Sequence, residues 1–272
     1  VGEINMSIIE RTNKVKAKMD QGQKVIGSFF TMGSVPVLEI LSMAGLDFLM
    51  IDTEHGPYDV ETAQQLIIAC ESRGITPFVR VKDYNRNSVL KMLDVGAMGL
   101  LIPFIKNVDQ VKELVGYAKY KPVGERGFGG GRVVTYNMDP VMVDVRDYFA
   151  WANRETLLIP QCETVEALES IEEITAIDGV DGIFVGPFDL SIAMGIPQQF
   201  DHPDFTAALE RVITACKKND KFCWVLGVSP EDVCKRFEMG FDGVLTVDSH
   251  FLIFGTIQYF KTLEELDKSL LY

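Results

Sequence analysis

Basic residues are in short supply in this 272-residue chain: 26 Lys and Arg stand against 39 Asp and Glu, a formal charge of −13. Neutralising a phosphate backbone takes clustered cations, and this dispersed minority argues against a nucleic-acid partner. Long apolar runs are lacking too. The longest, Ala97 to Ile105, is well short of the ~18 to 20 residues that span a bilayer, so no membrane partner is expected. The stretch VGEINMSIIERTNKVKAKMDQG mixes both charge signs and shows no signal-peptide apolar region. Five cysteines, at 70, 162, 216, 223 and 234, include no CxxC pair. Their odd number fits a reducing cytoplasm better than a disulfide framework. Only three histidines occur, so any imidazole chemistry falls to His55, His202 or His250.

What the chain does have is apolar content, 47% against 24% charged residues, enough for a large core. Barrels of the α/β kind reach ~250 residues as one domain, so a single domain over 1–272 is expected. Short runs rich in Val, Ile, Leu and Phe recur at 24–30, 46–52, 76–81, 97–103, 156–162, 179–186, 221–227 and 241–247. Each is nearly unbroken in apolar residues, as strands buried on both faces must be. Helical periodicity fills 36–44, 60–72, 86–94, 108–120, 164–176, 204–219, 230–239 and 262–270. Eight strands alternating with helices predict an α/β protein, a closed (β/α)8 TIM barrel. The fourth βα unit is extended by an insertion whose glycine-rich part is KPVGERGFGGGRVVTYN, 121–137. Gly129 to Gly131 there serve either a close backbone approach or a flexible surface loop. An N-terminal helix near 6–19 reads as a lid on the barrel bottom or a contact with a neighbour.

In such a barrel, chemistry gathers on the loops after the C-terminal strand ends. Those loops carry Asp52-Thr53-Glu54-His55, Arg80 and Lys82, Gln161-Cys162-Glu163, Gly186-Pro187-Phe188-Asp189, and Asp248-Ser249-His250. Glu163 and Asp189 follow adjacent strands, ~4.8 Å apart, so their carboxylates can converge on one hard divalent cation. The alternative is that each caps the helix that follows it. Arg80 ends a strand of apolar residues and serves as an anion clamp or as half of a salt bridge to a carboxylate at the same mouth. His55 is the best placed histidine, with His250 a competitor at the eighth strand. Lys82 offers a Schiff base in principle, but the sixth strand lacks the lysine common in aldolases of that kind. Cys162 reads as a small buried residue.

These residues carry a resemblance. AGLDFLMIDTEHGPYD (44–59), PFVRV (77–81), LDVGAMGLLIPFI (93–105), PVGERGFG (122–129), IPQCET (159–164) and GVDGIFVGPFDLSIAMG (179–195) together resemble the HpcH/HpaI family of metal-dependent pyruvate aldolases, with the related 2-keto-3-deoxy sugar-acid aldolases. The resemblance implies that Glu163 and Asp189 hold a divalent metal (Mg²⁺, Mn²⁺ or Co²⁺), with no organic cofactor. It makes His55 the acid/base residue, Asp94 the carboxylate that raises its basicity, and Arg80 the stabiliser of the enolate oxygen. Gln161 and the backbone around Phe188 and Asp189 then hold pyruvate. It also implies a trimer-based homo-oligomer, commonly a hexamer, whose neighbours complete the site. Two departures concern the acceptor substrate: Phe29-Phe30 stands where the family commonly has a tryptophan, and Cys162 where an apolar residue is usual.

The reaction so implied is reversible cleavage of a 4-hydroxy-2-oxoacid into pyruvate, or a close 2-oxoacid, and an aldehyde. Two other readings compete. A lyase on a related barrel acts on a malyl or citramalyl CoA thioester, for which this acidic chain offers no basic track. A non-catalytic 2-oxoacid-binding barrel is opposed by the complete set of Glu163, Asp189, Arg80 and His55.

Overall fold

The computed structural model describes residues 11–266. Eight strands, β1 (Val25–Phe30), β2 (Phe48–Asp52), β3 (Thr76–Arg80), β4 (Gly99–Ile102), β5 (Leu157–Cys162), β6 (Gly182–Val185), β7 (Phe222–Leu226) and β8 (Gly243–Val247), pair in parallel in chain order, and β8 returns to β1 to close the barrel. Every residue of β2, β4, β5 and β6 is buried. That double-sided burial is why the strands read as continuous apolar runs.

Alternation along each strand divides the core into two layers. Phe48 and Met50 of β2 face inward and join Phe29, Phe78, Leu101, Phe184, Trp224 and Leu245 in the barrel interior, while Leu49 and Ile51 face the surrounding helices. The interior is built on aromatics: Phe48 stacks on Trp224 at 4.8 Å between centroids, and Phe78 meets both rings edge-on. Glycines at the strand bottoms make the room. A Cβ on Gly27 or Gly99 would overlap the rings of Phe48 or Phe78, and one on Gly243 would lie 2.6 Å from Trp224 Cδ1.

Helices wrap this barrel. α1 (Lys14–Asp20) precedes β1; α2 (Val35–Met43), α3 (Val60–Arg73), α4 (Arg86–Asp94) and α5 (Val108–Ala118) follow β1 to β4. Then come α6 (Val145–Glu155), α7 (Val165–Glu169), α8 (Ile171–Thr175), α9 (Pro187–Ala193), α10 (Pro203–Lys218), α11 (Pro230–Met239) and α12 (Asp248–Leu266). α1 is a lid on the barrel bottom: Val15 and Met19 complete the interior cluster, and Trp224 Nε1 donates to Met19 Sδ at 3.1 Å. Asn13 caps this helix and fastens it, its Nδ2 donating to the carbonyls of Met98 and Glu155 while its backbone N–H donates to Glu155 Oε2. Residues 6–10 of the expected helix lie outside the described residues.

The structure departs from the sequence pattern in four elements. The run 164–176 forms two five-residue helices broken at Ser170 rather than one. A short helix, α9, starts directly after β6. The long fourth connection carries α6 and two 3₁₀ turns, Arg132–Asn137 and Pro140–Val143, around a small core of Tyr120, Val134, Tyr148 and Trp151. The last helix begins at Asp248, not at 262, and positions 267–270 lie outside the described residues. Among the described residues no helix is long and apolar enough to cross a membrane.

Trp224 is the largest fully buried side chain and touches both the aromatic stack and the bottom lid. Trp224→Ala should therefore cost about 3–5 kcal/mol of unfolding free energy, measured by denaturant titration. A cost below about 1 kcal/mol would mean that the interior repacks freely.

Candidate active site

The site begins with two residues placed opposite each other by strand register. Asp52, last in β2, pairs in register with Arg80, last in β3. Their side chains form a two-pronged ion pair, Arg80 Nε to Asp52 Oδ1 at 2.9 Å and Nη2 to Oδ2 at 2.6 Å. Asp52 is only 1% exposed. A carboxylate so desolvated needs further donors, and the turn beyond β2 supplies them: the backbone N–H groups of Glu54 and His55 both donate to Asp52 Oδ1. Arg80 is held on two more sides, by Glu54 Oε2 at 3.1 Å from Nη1 and by the Phe29 ring 4.5 Å below the guanidinium.

Glu54 then links this arginine to the histidine, its Oε2 lying 3.9 Å from His55 Nε2. His55 itself is largely exposed at the rim, where it can meet a bound molecule. Burial raises the Glu54 pKa, with Arg80 opposing and the negative charges of Asp52 and Asp189 adding to the rise.

Glu163 and Asp189 follow neighbouring strands as the spacing implied: β5 and β6 pair through Gln161 with Phe184 and Cys162 with Val185. Neither is a helix cap. Thr164 caps α7 through its own hydroxyl, and α9 is entered from Gly186, with Asp189 in its first turn. Glu163 is buried and both its oxygens are engaged. Oε1 accepts the backbone N–H of Phe104 at 2.6 Å, and Oε2 accepts from Gln161 Nε2. Burial pushes its pKa up to about 7, with the Phe104 hydrogen bond opposing and the charges of Asp189 and Glu54 adding to the rise. Four carboxylates, Asp52, Glu54, Glu163 and Asp189, thus crowd one mouth with a single arginine among them, an arrangement that favours a cation.

Space for one is present. A Cβ on Gly186 would lie 2.7 Å from Gln161 Nε2 and 3.0 Å from Glu163 Oε2, so only glycine leaves the face of these groups open. Gln161 Oε1 is buried without a hydrogen-bond partner among the described residues. A cavity of about 220 Å³ opens here, lined among others by Phe29, Asp52, Arg80, Gln161, Phe188 and Asp189. Among the described residues no group of three or more His, Cys, Asp or Glu side chains is placed to hold an ion. The chain offers a carboxylate pair, the donor set of a hard divalent ion that keeps waters or takes substrate oxygens for its remaining positions.

The other expected residues divide. Phe188 stands at the cavity wall, edge-on to Phe200. Asp94 does not meet His55 within the chain. It ends α4, at the opposite end of the barrel, and its carboxylate accepts from Arg126 Nη2 at 2.9 Å. A helix that follows a strand runs back towards the N-terminal face, so its last residue cannot reach the mouth of its own barrel. His202 caps α10, its Nδ1 accepting from the Asp204 backbone N–H, and His250 packs against Phe254. Lys82 is exposed and lines a separate cleft with Tyr58 and Lys91. Cys162 is 2% exposed, and burial pushes its thiol up to about 12, so it is no nucleophile.

Four residues, three of them among the strand-end candidates, carry roles that the sequence reading did not assign. Asp52 organises the arginine and the histidine turn. Gly186 keeps the carboxylates accessible. Asp248, 1% exposed, accepts from the backbone of Thr31 and Met32 and from the Thr31 hydroxyl, tying the loop after β1 to the end of β8. Phe104 holds a left-handed backbone, φ 56°, that aims its N–H at Glu163, and the next carbonyl accepts from Thr164 Oγ1 at 2.8 Å. Asp52 and Gly186 stand at strand ends, which is signal enough to have ranked them. The Phe104 backbone has no sequence signal, because a phenylalanine rarely adopts that conformation.

A closed parallel barrel with charged and polar side chains gathered at its C-terminal mouth is the architecture of the TIM-barrel enzymes. Within that class the chain belongs to the HpcH/HpaI aldolase/citrate lyase family, whose model matches residues 26–245. It is 34% identical over 231 residues to a 4-hydroxy-2-oxo-heptane-1,7-dioate aldolase of Escherichia coli, covering 84% of this chain and 86% of that one. To a 2-keto-3-deoxy-L-rhamnonate aldolase of Klebsiella pneumoniae it is 33% identical over 221 residues, 80% of each. Among solved structures, an HpcH/HpaI aldolase from Desulfitobacterium hafniense superposes with a TM-score of 0.83 at 31% identity, covering 92% of this chain and 96% of that one. The citrate synthase SbnG gives 0.82 at 26% identity, with 94% and 100% covered. The chain is accordingly a carbon–carbon lyase of the aldolase type.

The raised pKa of Glu163 has a measurable sign. Its native form binds a proton more tightly than the unfolded chain, so for metal-free protein this residue lowers stability as pH rises from the ordinary glutamate value of 4.5 to about 7. Glu163→Gln removes that effect. The metal-free variant should melt above wild type at pH 8, by an amount worth up to about 3 kcal/mol, and the gap should close at pH 5. A gap equal at both pH values would show that Glu163 ionises normally.

Proposed function

We propose that the protein is a divalent-metal-dependent aldolase that reversibly cleaves a 4-hydroxy-2-oxoacid into pyruvate, or a close 2-oxoacid, and an aldehyde, with no organic cofactor. The observation that carries this reading is that Arg80 and Asp189 line one cavity, with Glu163 beside Gln161 at its wall and His55 beside Glu54 at the rim, in a chain whose relatives are named for such cleavages. Glu163 and Asp189 would hold the ion, which when bound polarises the 2-keto group as a Lewis acid. The family's dependence on divalent metal supports that assignment.

The chain's own residues supply the rest. Gln161 and the first turn of α9, around Phe188 and Asp189, receive the carboxylate end of the substrate. Arg80, fixed by Asp52, Glu54 and the Phe29 ring, presents its remaining N–H surface to the enolate oxygen as the C3–C4 bond breaks. That charge exists mainly in the transition state and the intermediate, where a fixed donor lowers the barrier most. His55 takes the proton of the 4-hydroxyl and returns one to C3 of the enolate. Asp94 acts on His55 only from a neighbouring copy, since it stands at the far end of its own barrel.

Donor chemistry can be read without knowing the aldehyde. In heavy water with Mg²⁺ or Mn²⁺, the protein should exchange the methyl protons of pyruvate for deuterium, followed by NMR. Exchange should stop on chelation, return with the ion, and fall by roughly 10² to 10³ in Arg80→Lys, which keeps the charge but loses the planar fork. Exchange at the rate of the ion alone, with metal shown to be bound, would remove the enolate reading.

The assembly is proposed to be a closed homo-oligomer of trimer-based symmetry, six chains in all, and its compartment the cytoplasm, in keeping with five free cysteines. Support for assembly comes from α12. Phe251, Leu252, Ile253, Phe254, Ile257 and Phe260 are all exposed, and Asp248 is the one residue of that helix buried among those described. A helix apolar all round is one that something must enclose. Light scattering should give six chains, and Phe254→Asp with Ile257→Asp should reduce that mass. A monomer at micromolar concentration would exclude the assembly.

A further inference from the structure

The cavity at the barrel mouth has two unlike sides, and strand order sorts them. Asp52, Arg80 and Gln161, groups of the lyase reaction, come from β2, β3 and β5. Leu226, Val247 and Phe29 come from β7, β8 and β1 and carry no polar group. Between them, β6 and the start of α9 contribute Phe184 and Phe188 to the apolar side and Asp189 to the polar one. The hydroxyl of Thr31, which also lines the cavity, donates to Asp248 at 2.9 Å. We propose that the acceptor aldehyde is an uncharged molecule with an apolar body, received on this second side, and that Phe188 and Leu226 are the residues that select it. The assignment rests on the aldolase reading of the mouth and adds the substrate class to it.

An anionic acceptor meets no free cation here. Among the described residues Arg80 is the one cation lining the cavity, and Asp52 and Glu54 already hold it. Lys106 rests on the Phe104 ring at 4.6 Å, and Lys82 lines a separate cleft. The carboxylates of Asp52, Glu54, Glu163 and Asp189 exceed Arg80 by three charges. A divalent ion cancels two of these, and the carboxylate of pyruvate brings the excess back to two. A neighbouring copy that brought Asp94 to His55 would bring it paired with Arg126, and so without net charge. A carboxylate on the aldehyde would therefore enter a field of its own sign, against side chains unable to hydrogen-bond it. An apolar body instead covers the exposed faces of Phe188 and Leu226 and gains by leaving water.

Phe188 also screens a second group of cations. Another cavity of about 220 Å³ adjoins the first, and the two share Pro187, Phe188 and Leu226 as walls. Lys235 and Arg236 line it, each held by a carboxylate, Asp201 at 2.8 Å and Asp232 at 3.1 Å. The Phe188 ring, set edge-on against Phe200 at 5.1 Å, stands between these ion pairs and the reacting groups. A large side chain at this position thus both supplies the apolar surface and keeps a charged tail from reaching a partner.

In the condensation direction, C3 of the pyruvate enolate gives its electron pair to the aldehyde carbon, and the aldehyde oxygen takes up the proton that the pyruvate methyl group released. Two aldehydes of similar shape serve as probes: 4-methylpentanal, and succinic semialdehyde, in which a carboxylate replaces the two terminal methyl groups. With pyruvate and Mg²⁺, kcat/KM for 4-methylpentanal should exceed that for succinic semialdehyde at least about tenfold. Leu226→Lys places a cation on the apolar wall and should cut that ratio at least about tenfold, and Phe188→Ala, which opens the way to Lys235 and Arg236, should lower it too. Circular dichroism melts check that both variants fold. Pyruvate methyl exchange in heavy water, run on the same preparation, needs no aldehyde and separates the two levels of inference. Normal exchange with succinic semialdehyde the equal or better acceptor, with no condensation of 4-methylpentanal, or with a ratio unchanged in both folded variants, would overturn the acceptor assignment alone. Absent exchange would remove the aldolase reading and this assignment with it.

Discussion

The bidentate pair between Asp52 and Arg80 is the interaction on which the rest of the site depends. Both residues are last in their strands and opposite each other in register, so closure of the barrel itself brings the charges together. A buried ion pair is not stabilising unless its remaining donors and acceptors are satisfied. Here that requirement shapes the mouth. Asp52 recruits the Glu54 and His55 backbone, which bends the chain after β2 into the turn that carries His55. Arg80 recruits Glu54 and the Phe29 ring, which fixes its guanidinium over the cavity. The salt-bridge and anion-clamp readings of Arg80 are therefore not exclusive: the bridge is what aims the clamp.

Around that pair the protein tolerates an excess of negative charge. The charge of Asp189 opposes the ionisation of both Glu54 and Glu163, and that of Glu54 opposes the ionisation of Glu163. A buried carboxylate held near pKa 7 is unfavourable for stability and useful for capturing a cation, and such tension is typical of functional sites. The backbone contributes as well. The left-handed Phe104 costs conformational energy and in return anchors Glu163 through its N–H. Orienting a ligand through a rigid neighbouring strand end is worth that strain because a loose carboxylate would hold an ion in many geometries.

Much of this was legible beforehand, and the residues show why. The eight strands announced themselves because each is buried on both faces and tolerates few polar residues. Glu163 and Asp189 were identifiable because strand order follows chain order in this fold, so consecutive strand ends are spatial neighbours. Their alternative role as caps fell only when Thr164 and Gly186 were seen to occupy the cap positions. The residues whose roles escaped act through geometry rather than chemistry: Gly186 by lacking a Cβ, Phe104 by its φ angle, Asp248 by tying two loops together. Helices were less exact. α7 and α8 share one periodic pattern, and nothing in that pattern marks the break at Ser170.

The sequence by itself determined the fold class, the alternation of buried strands and covering helices, and the set of residue types at the strand ends, because burial and strand order are local or cumulative properties of the chain. Tertiary structure alone decided which of those residues meet. It separated Asp94 from His55 by the length of the barrel, since a helix leads its last residue back to the opposite face. It set Arg80 against Asp52 through strand register, and it gathered Phe29, Phe188 and Leu226, distant in sequence, around one cavity. Contacts of that kind follow from where closure of the barrel places each end of each element, which no stretch of sequence encodes on its own.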